Sequence, residues 1–192
     1  IATTALPDEV VRRARAAGIK CVPTGIDHGT VTLVIEAQPF EVTTLREDTE
    51  TFGRKAKVAF GRDWVRDAER RDFTINAMAY DVLDDRLIDP FGGLADLETR
   101  TLRAVGDAAT RFAEDGLRVL RAARFVATLE VTLEAETERA IQPSLASYAK
   151  VSAERVRDEW MKAMKAARPS HAFDVMRETG ILGVTYPEML EM

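Results

Sequence analysis

Arginine stands beside carboxylate and amide side chains in the stretch of residues 70–77. Arg70 and Arg71 are followed directly by Asp72, and Asn76 lies four residues further on. Guanidinium groups are planar and always charged, so an arginine pair suits a ligand that carries several phosphates. A helix-capping or surface ion-pair cluster without any ligand is the alternative interpretation of the same residues.

A second stretch places three arginines behind an aspartate. Asp115 is followed by Arg118, Arg121 and Arg124 at steps of three, and on a helix such side chains form a slow spiral. Asp115 and Arg118 would be neighbours able to pair. Residues 100–124 carry six arginines against three acidic residues, whereas the whole chain has a net charge of −5. This local positive charge suits an anionic partner, and a solvated helix face with one ion pair is the alternative.

A single carboxylate, Glu41, lies in a segment of alternating apolar residues. If Phe40 and Val42 face the core, Glu41 points to the opposite face of its strand. There it is either solvated or one ligand of a metal ion. Mg²⁺ usually takes one or two carboxylates together with phosphates and water, so Glu41 alone does not make a magnesium site.

The first part of the chain predicts a helix and a strand pair that would position these residues. Pro7, followed by two acidic residues, predicts a helix that ends at Gly18. Residues 30–35 and 40–45 are β-branched or alternating and predict a hairpin. The polar segment 49–62 predicts a mobile basic loop.

Helical spacing dominates from about residue 107 onward. One helix is predicted through residues 117–126, and another from Ser152 to Ala167. The fold class is therefore α+β, with a mixed α/β front, an all-helical back and a changeover near residue 100.

Composition limits the classes of protein that fit. The chain has 192 residues, of which 46% are hydrophobic and 31% charged, as expected of a soluble globular protein with one or two domains. No apolar run approaches the ~20 residues of a membrane span. The single cysteine excludes an internal disulfide framework and fits the cytoplasm. The sequence contains no Ser-His-Asp or Cys-His arrangement that would indicate a covalent nucleophile.

Three strings occur in a fixed order: Arg70-Arg71-Asp72-Phe73-Thr74-Ile75-Asn76-Ala77, Ile88-Asp89-Pro90-Phe91-Gly92-Gly93-Leu94-Ala95-Asp96-Leu97 and Glu114-Asp115-Gly116-Leu117-Arg118. Together they resemble the bacterial class II tRNA nucleotidyltransferase and poly(A) polymerase family. Residues 29–32 and 40–46 are similar to the head domain of that family, and residues 151–159 to its neck-helix motif. The resemblance covers nearly the whole chain.

The resemblance implies a polymerase-β-like nucleotidyltransferase head over residues 1–100, incomplete at its N-terminus. A helical neck with the base-reading motif would follow over residues 101–170. Residues 171–192 would begin a helical body.

The resemblance also implies a reaction and its partners. Members of the family add nucleotides from CTP and ATP to the tRNA 3′ end without a template, using Mg²⁺, in the cytoplasm, without a membrane and without DNA. Poly(A) synthesis and addition of A alone or CC alone share these motifs. The segment 49–62 favours an enzyme able to add A. A non-catalytic RNA-binding fragment is the alternative of another class.

The resemblance carries roles over to residues of this sequence. Arg71 and Asp72, with Asn76, would belong to the nucleotide-binding motif of the head. Asp115 and Arg118 would be the pair that reads the incoming base.

Four further expectations about the site and its activity follow from the resemblance. Arg121 and Arg124 would continue the binding surface toward the triphosphate or the RNA, and Glu41 would be a third carboxylate near the metal ions. The Asp-x-Asp pair that holds the metal ions in the family would lie directly before Ile1. A polypeptide of residues 1–192 alone is therefore expected to be inactive.

Overall fold

The computed structural model describes residues 1–52 and 55–191, with side chains described for residues 1–46 and 60–191. The chain divides into two compact units, Ile1–Arg70 and Arg71–Met192. Within the described residues, no helix is both long and apolar enough to cross a lipid bilayer.

The first unit is built on a four-stranded mixed sheet in the order β1-β4-β3-β2. Its elements are β1 (Ala2–Thr3), α1 (Pro7–Ala16), β2 (Lys20–Gly25), β3 (Thr30–Ile35), β4 (Gln38–Thr44), β5 (Arg46–Phe52), β6 (Lys55–Phe60) and α2 (Trp64–Glu69). Strands β3 and β4 pair antiparallel, which confirms the predicted hairpin, and β1 lies parallel to β4.

The predicted boundaries of the first helix are confirmed. Pro7 occupies the first turn of α1, where its missing N–H costs no hydrogen bond, and two acidic residues follow it. The helix ends at Ala16, and Gly18 then adopts a φ of +68°, a left-handed conformation that glycine takes without strain.

Of the two residues considered for the core beside Glu41, only Val42 lies there. Val42 is buried on β4 and pairs with the buried Val31 on β3, but Phe40 is 37% exposed. The first four residues of β4, 38–41, are exposed on both faces, so the side chain of Phe40 lies beyond the covered part of the sheet.

The prediction of a loop over residues 49–62 is wrong for most of the backbone of this segment. Strands β5 and β6 form an antiparallel ladder, with a register shift between Asp48 and Glu50. The charged residues of this segment make its sequence resemble a loop, and they obscured the strands. Residues 53–54 and the side chains of residues 47–59, including most of the predicted basic groups, lie outside the described part of the chain.

The second unit is mainly helical. Its elements are β7 (Ala79–Asp81), β8 (Arg86–Ile88), α3 (Gly93–Glu98), β9 (Thr101–Leu102), α4 (Ala108–Glu114), α5 (Leu117–Leu129), β10 (Thr132–Leu133), α6 (Ala135–Arg139), α7 (Leu145–Tyr148), α8 (Ala153–Met164), α9 (Pro169–Glu178) and α10 (Ile181–Thr185), with short 3₁₀ turns at Thr74–Asn76, Gln142–Ser144 and Pro187–Leu190. Strands β7 and β8 form a small antiparallel hairpin, and β9 pairs in parallel with β10.

Helix α5 is the centre of this unit. Seven of its thirteen residues are buried, and it packs against α8 and α9. Phe73, Leu102, Phe112 and Ile141 fill the same core and are fully buried. The α+β class is therefore confirmed, but the part after residue 100 is not all-helical, because β9 and β10 pair within it. Helix α8 ends at Met164, before the predicted Ala167. The domain boundaries at residues 100 and 170 stay predictions.

Candidate nucleotide-binding site

Asp72, Asn76 and Arg121, three of the residues singled out in the sequence, lie in one hydrogen-bonded group. Asp72 Oδ1 accepts from the backbone N–H of Phe73 at 2.9 Å and from Asn76 Nδ2 at 3.0 Å. Its Oδ2 accepts from Arg121 Nε at 2.7 Å. Asp72 is only 7% exposed, so these charge-assisted bonds stabilise a carboxylate that has lost most of its water.

Glu159 of α8 extends this group to a second pair of cations. Its Oε2 accepts from Arg124 Nε at 2.6 Å and its Oε1 from Lys162 Nζ at 2.7 Å, while a terminal nitrogen of Arg121 lies 3.8 Å away. Burial by itself raises the pKa of Glu159, but the Lys162 hydrogen bond and the charges of Arg124 and Arg121 outweigh it and hold that pKa below its usual value. Glu159 therefore stays ionised at neutral pH.

Asp72, Glu159, Arg121, Arg124 and Lys162 are called the neck cluster below. It contains three cations and two carboxylates and keeps a net positive charge.

Two aromatic rings support the arginines of the neck cluster. The guanidinium carbon of Arg124 lies 3.8 Å from the ring centroid of Phe125, and that of Arg121 lies 5.5 Å away. Phe125 in turn meets the buried Phe73 edge to face, with centroids 5.6 Å apart. The ring contacts and the ion pairs together fix both guanidinium groups.

Arg71 is placed by the turn that follows it. A terminal nitrogen of Arg71 donates to the backbone carbonyl of Asn76 at 2.9 Å. Thr74, in the 3₁₀ turn between them, donates to Asp96 at 2.7 Å, and Arg103 also pairs with this buried carboxylate. The turn that carries the first motif is therefore tied to Asp96 of α3, which also pairs with Arg103 just after β9.

Asp115 and Arg118 do not share a helix, and this corrects the expectation drawn from their spacing. Asp115 has an extended backbone between α4 and α5, whereas Arg118 lies in the first turn of α5. The backbone N–H of Arg118 donates to the carbonyl of Asp115 at 3.0 Å, so both residues still belong to one turn. Gly116 and Leu117 are the two residues inside this turn.

The side chains of these two residues have different partners. Asp115 Oδ1 accepts from the N–H of Leu117 at 3.1 Å, and its Oδ2 accepts from Arg155 of α8 at 2.7 Å. Arg118 donates to Glu114 at 2.7 Å and to the carbonyl of Arg111 at 2.9 Å. The turn thus carries an anchored acceptor and an anchored donor three residues apart.

Glu41 is exposed on β4, opposite Thr32 in the ladder. Within the described residues, no group of three or more histidine, cysteine, aspartate or glutamate side chains is arranged to hold a metal ion. The role of Glu41 as a third carboxylate stays a prediction.

Sequence reasoning missed Glu159 and Arg155 as parts of the site. Glu159 stands on the buried side of α8 with Val156 and Ala163, at helical spacing, and a carboxylate on an apolar face is a signal that a cation lies opposite. Arg155 carried no comparable signal, because its partner is 40 residues away.

Two family models match the chain. The model described as "Poly A polymerase head domain" matches residues 1–103, and the one described as "Probable RNA and SrmB- binding site of polymerase A" matches residues 130–192. The resemblance inferred from the ordered motifs is thereby confirmed.

Curated relatives are similar over almost the whole chain. The CCA-adding enzyme of Lactobacillus johnsonii is 45% identical over 183 residues, which cover 94% of this chain and 45% of that protein. The CCA-adding enzyme of a Geobacillus species is 42% identical over 183 residues, with 94% and 44% covered. This chain therefore spans less than half the length of these relatives.

Solved structures give the same result. The Bacillus stearothermophilus CCA-adding enzyme in complex with CTP superimposes with a TM-score of 0.83 at 39% identity, covering 93% of this chain and 42% of that one. A tRNA nucleotidyltransferase complexed with a primer tRNA and an incoming ATP analog gives a TM-score of 0.80 at 29% identity, covering 96% and 52%. The head-domain model matches more than half of the residues of this chain, and the chain therefore belongs to the poly A polymerase head domain family.

Proposed function

We propose that this chain selects and positions the nucleotide in a template-independent nucleotidyltransferase that adds CMP and AMP, from CTP and ATP, to the 3′ end of tRNA. The observation that carries the proposal is the turn before α5, where the Asp115 carboxylate and the Arg118 guanidinium, three residues apart, are each anchored by hydrogen bonds. The likeness to CCA-adding enzymes across 94% of the chain supports it.

The chemistry of the two side chains matches the two accepted bases. Cytosine and adenine both present an exocyclic amine, which donates, beside a ring nitrogen, which accepts. A carboxylate only accepts hydrogen bonds and a guanidinium only donates them. Asp115 would therefore accept a hydrogen bond from the exocyclic amine, while Arg118 donates one to the ring nitrogen. Uracil and guanine reverse this pattern. Each unsatisfied group would then cost roughly 1–3 kcal/mol, which corresponds to about a ten- to hundredfold preference for cytosine and adenine over uracil and guanine.

We propose that residues of the first motif bind the triphosphate and the ribose. We assign Arg71, Asp72 and Asn76 to nucleotide binding, because the 3₁₀ turn and the neck cluster hold these three residues together. Arg121 already uses Nε and both terminal nitrogens on Asp72 and Glu159. A guanidinium has five N–H donors, so Arg121 keeps N–H groups for a phosphate or RNA contact while it pairs with both carboxylates, and Arg124 contacts Glu159 through Nε.

We propose Mg²⁺ as the metal ion of this reaction. Glu41 offers one exposed carboxylate, and the described residues contain no group of three or more histidine, cysteine, aspartate or glutamate side chains that could hold a metal ion. No catalytic step is therefore assigned to Glu41. The contribution of this chain is positioning, on which nucleotidyl transfer depends heavily.

The helical part of the second unit supports RNA as the second partner. The family model over residues 130–192 is described as a probable RNA-binding site, and we infer that tRNA, not DNA, contacts this part. A protein that processes tRNA would work in the cytoplasm. The same match also fits an RNA-binding module without catalysis, which is the second candidate function.

Incorporation of labelled CTP and ATP by the intact protein tests the proposal. The substrate is a tRNA that lacks its three terminal nucleotides, and the control is the same tRNA with a complete 3′ end. Addition that stops after C, C and A supports CCA addition. A long A tail or A alone would indicate the related polymerase or A-adding activity, and tRNA binding without incorporation would indicate the RNA-binding module.

A further inference from the structure

We infer that a cleft between helix α1 and the edge strand β2 binds a small organic phosphate. The cleft has a volume of about 460 Å³, which lies within the range of small-molecule binding sites. Residues of α1, of β2 and of the 3₁₀ turn that follows β2 line it, and all of them belong to the first unit. None of the residues assigned above to nucleotide binding lines this cleft.

One face of α1 forms the charged wall of the cleft. The four lining residues of α1 follow the spacing i, i+3, i+4 and i+7, which places them on one side of the helix: Asp8, Val11, Arg12 and Arg15. Three of these four residues carry a charge. The buried residues of α1 are different ones, Pro7 and Ala14, so the charged face borders the cleft and not the core.

The two arginines of this wall offer hydrogen-bond donors to an anion. Arg12 donates through Nε and a terminal nitrogen to Glu9, at 2.8 and 2.7 Å, and these bonds orient its guanidinium while further N–H groups stay free. The side chain of Arg15 has no hydrogen-bond or ion-pair partner among the residues that the structure describes. Side chains three residues apart on a helix are neighbours, so both guanidinium groups can reach one phosphate.

The rest of the lining indicates what the phosphate is attached to. Pro23 of β2 and Ile26 of the following turn give the cleft an apolar wall. Asp8 lies seven residues before Arg15, which is about 10 Å along the helix, and its carboxylate accepts hydrogen bonds from a hydroxyl or an amine. The cleft therefore fits a molecule with a phosphate at one end, a donor at the other and an apolar surface between them. A nucleoside monophosphate has this chemistry.

The cleft lies on the opposite face of the sheet from Glu41. Cys21, which lines the cleft, pairs with Leu33 on β3, and Leu33 pairs with Phe40 on β4. Directly paired residues share a face, whereas Glu41, the residue after Phe40, points to the other face. A ligand in this cleft would therefore not contact Glu41, and the inference does not rest on the proposed function.

Alkylation of Cys21 by iodoacetamide tests the inference in the intact protein, because this partly buried thiol lines the cleft. The probe is AMP at constant ionic strength, and the mass of the peptide that carries Cys21 reports the rate. AMP should slow alkylation along a saturation curve, by at least about fivefold at its plateau, because a bound ligand covers the thiol. Inorganic phosphate should slow it only at higher concentration. Adenosine, which has no phosphate, should leave the rate unchanged.

Arg15→Gln and Arg13→Gln form a matched pair of variants. Arg13 also stands on α1 and donates to Glu9 at 2.6 Å, but it does not line the cleft. Arg15→Gln should raise the AMP concentration for half-maximal protection about tenfold, because it removes a charged donor to the phosphate. Arg13→Gln should leave that concentration unchanged. Equal melting temperatures verify that both variants are folded.

Four results would overturn the inference. The first is an alkylation rate that AMP does not change. Equal protection by adenosine and AMP would show that the cleft accepts apolar molecules without recognising phosphate. Equal effects of Arg15→Gln and Arg13→Gln would show diffuse attraction of anions to α1. Protection by a short single-stranded RNA but not by AMP would assign the cleft to an RNA backbone instead.

Discussion

Arg121 of helix α5 binds the buried carboxylate of Asp72 across 49 residues of sequence, with Nε 2.7 Å from Oδ2. The contact joins the turn of the first motif to the helix that carries the second. Asp72 receives two further hydrogen bonds, from Asn76 and the N–H of Phe73, so its charge is fully partnered inside the unit. Two motifs that are separate in sequence thus form one rigid group.

Removing Arg121 should destabilise the second unit. In Arg121→Ala, Asp72 would keep two weaker donors but lose its counter-charge, at a cost of about 1–3 kcal/mol in the free energy of unfolding. Urea unfolding of the chain measures this cost. Arg177→Ala is the matched control, because Arg177 makes ion pairs only on the exposed surface of α9 and should cost less than about 1 kcal/mol. Equal effects of the two variants would refute the structural role of Arg121.

Glu159 should make stability depend on pH in a defined direction. Its pKa is lower in the folded chain than in the unfolded one, so its contribution is fully present above the ordinary value of 4.5 and is lost as the pH falls through the folded value. Glu159→Gln should therefore cost about 2–4 kcal/mol at pH 7, and the difference from the parent should shrink below pH 4.5. Urea unfolding at pH 7 and at acid pH tests this, with the exposed Glu178→Gln as control. A difference that stays constant over this range would contradict the ionised pairing.

Gly116→Ala should disrupt the turn before α5. The φ of Gly116 is −57°, which any residue adopts, so the whole penalty comes from the collision of the new Cβ with the backbone of Ser147. We expect a loss of at least about 2 kcal/mol in stability. In the control Gly183→Ala, the Cβ meets only the end of the Leu190 side chain at 3.3 Å, and this variant should lose much less. A small loss at Gly116 would mean that the turn and α7 do not pack closely.

Replacing Arg71 tests the assignment of the first motif. Arg71→Ala should lower kcat/KM for CTP and ATP by similar factors, because phosphate and ribose contacts carry no base identity. The kcat/KM values for CTP and for ATP, measured separately in the intact protein, test this expectation. A loss confined to one of the two nucleotides would contradict this assignment.

Local patterns predicted the elements better than the contacts between them. The hairpin of β3 and β4, the limits of α1 and the position of α5 follow from alternation, capping residues and helical spacing. The strands β5 and β6 were missed because a sequence this rich in charged residues resembles a loop.

Contacts over long separations could not be predicted in the same way. The step of three between Asp115 and Arg118 suggested one helix, but the glycine between them starts a new helix after an extended residue. The pairing of Asp115 with Arg155 depends on how α8 packs on α5, and nothing in the local sequence specifies that packing.

The relative incorporation of the four nucleotides by an Asp115→Ala, Arg118→Ala double variant tests the central claim most directly. It is measured in the intact protein, on tRNA that lacks its terminal nucleotides, as kcat/KM for CTP, ATP, UTP and GTP. If the anchored acceptor and donor before α5 read the base, the preference for CTP and ATP should fall by about ten- to hundredfold. A double variant that still prefers CTP and ATP at near-parental ratios would show that Asp115 and Arg118 form an ordinary surface turn.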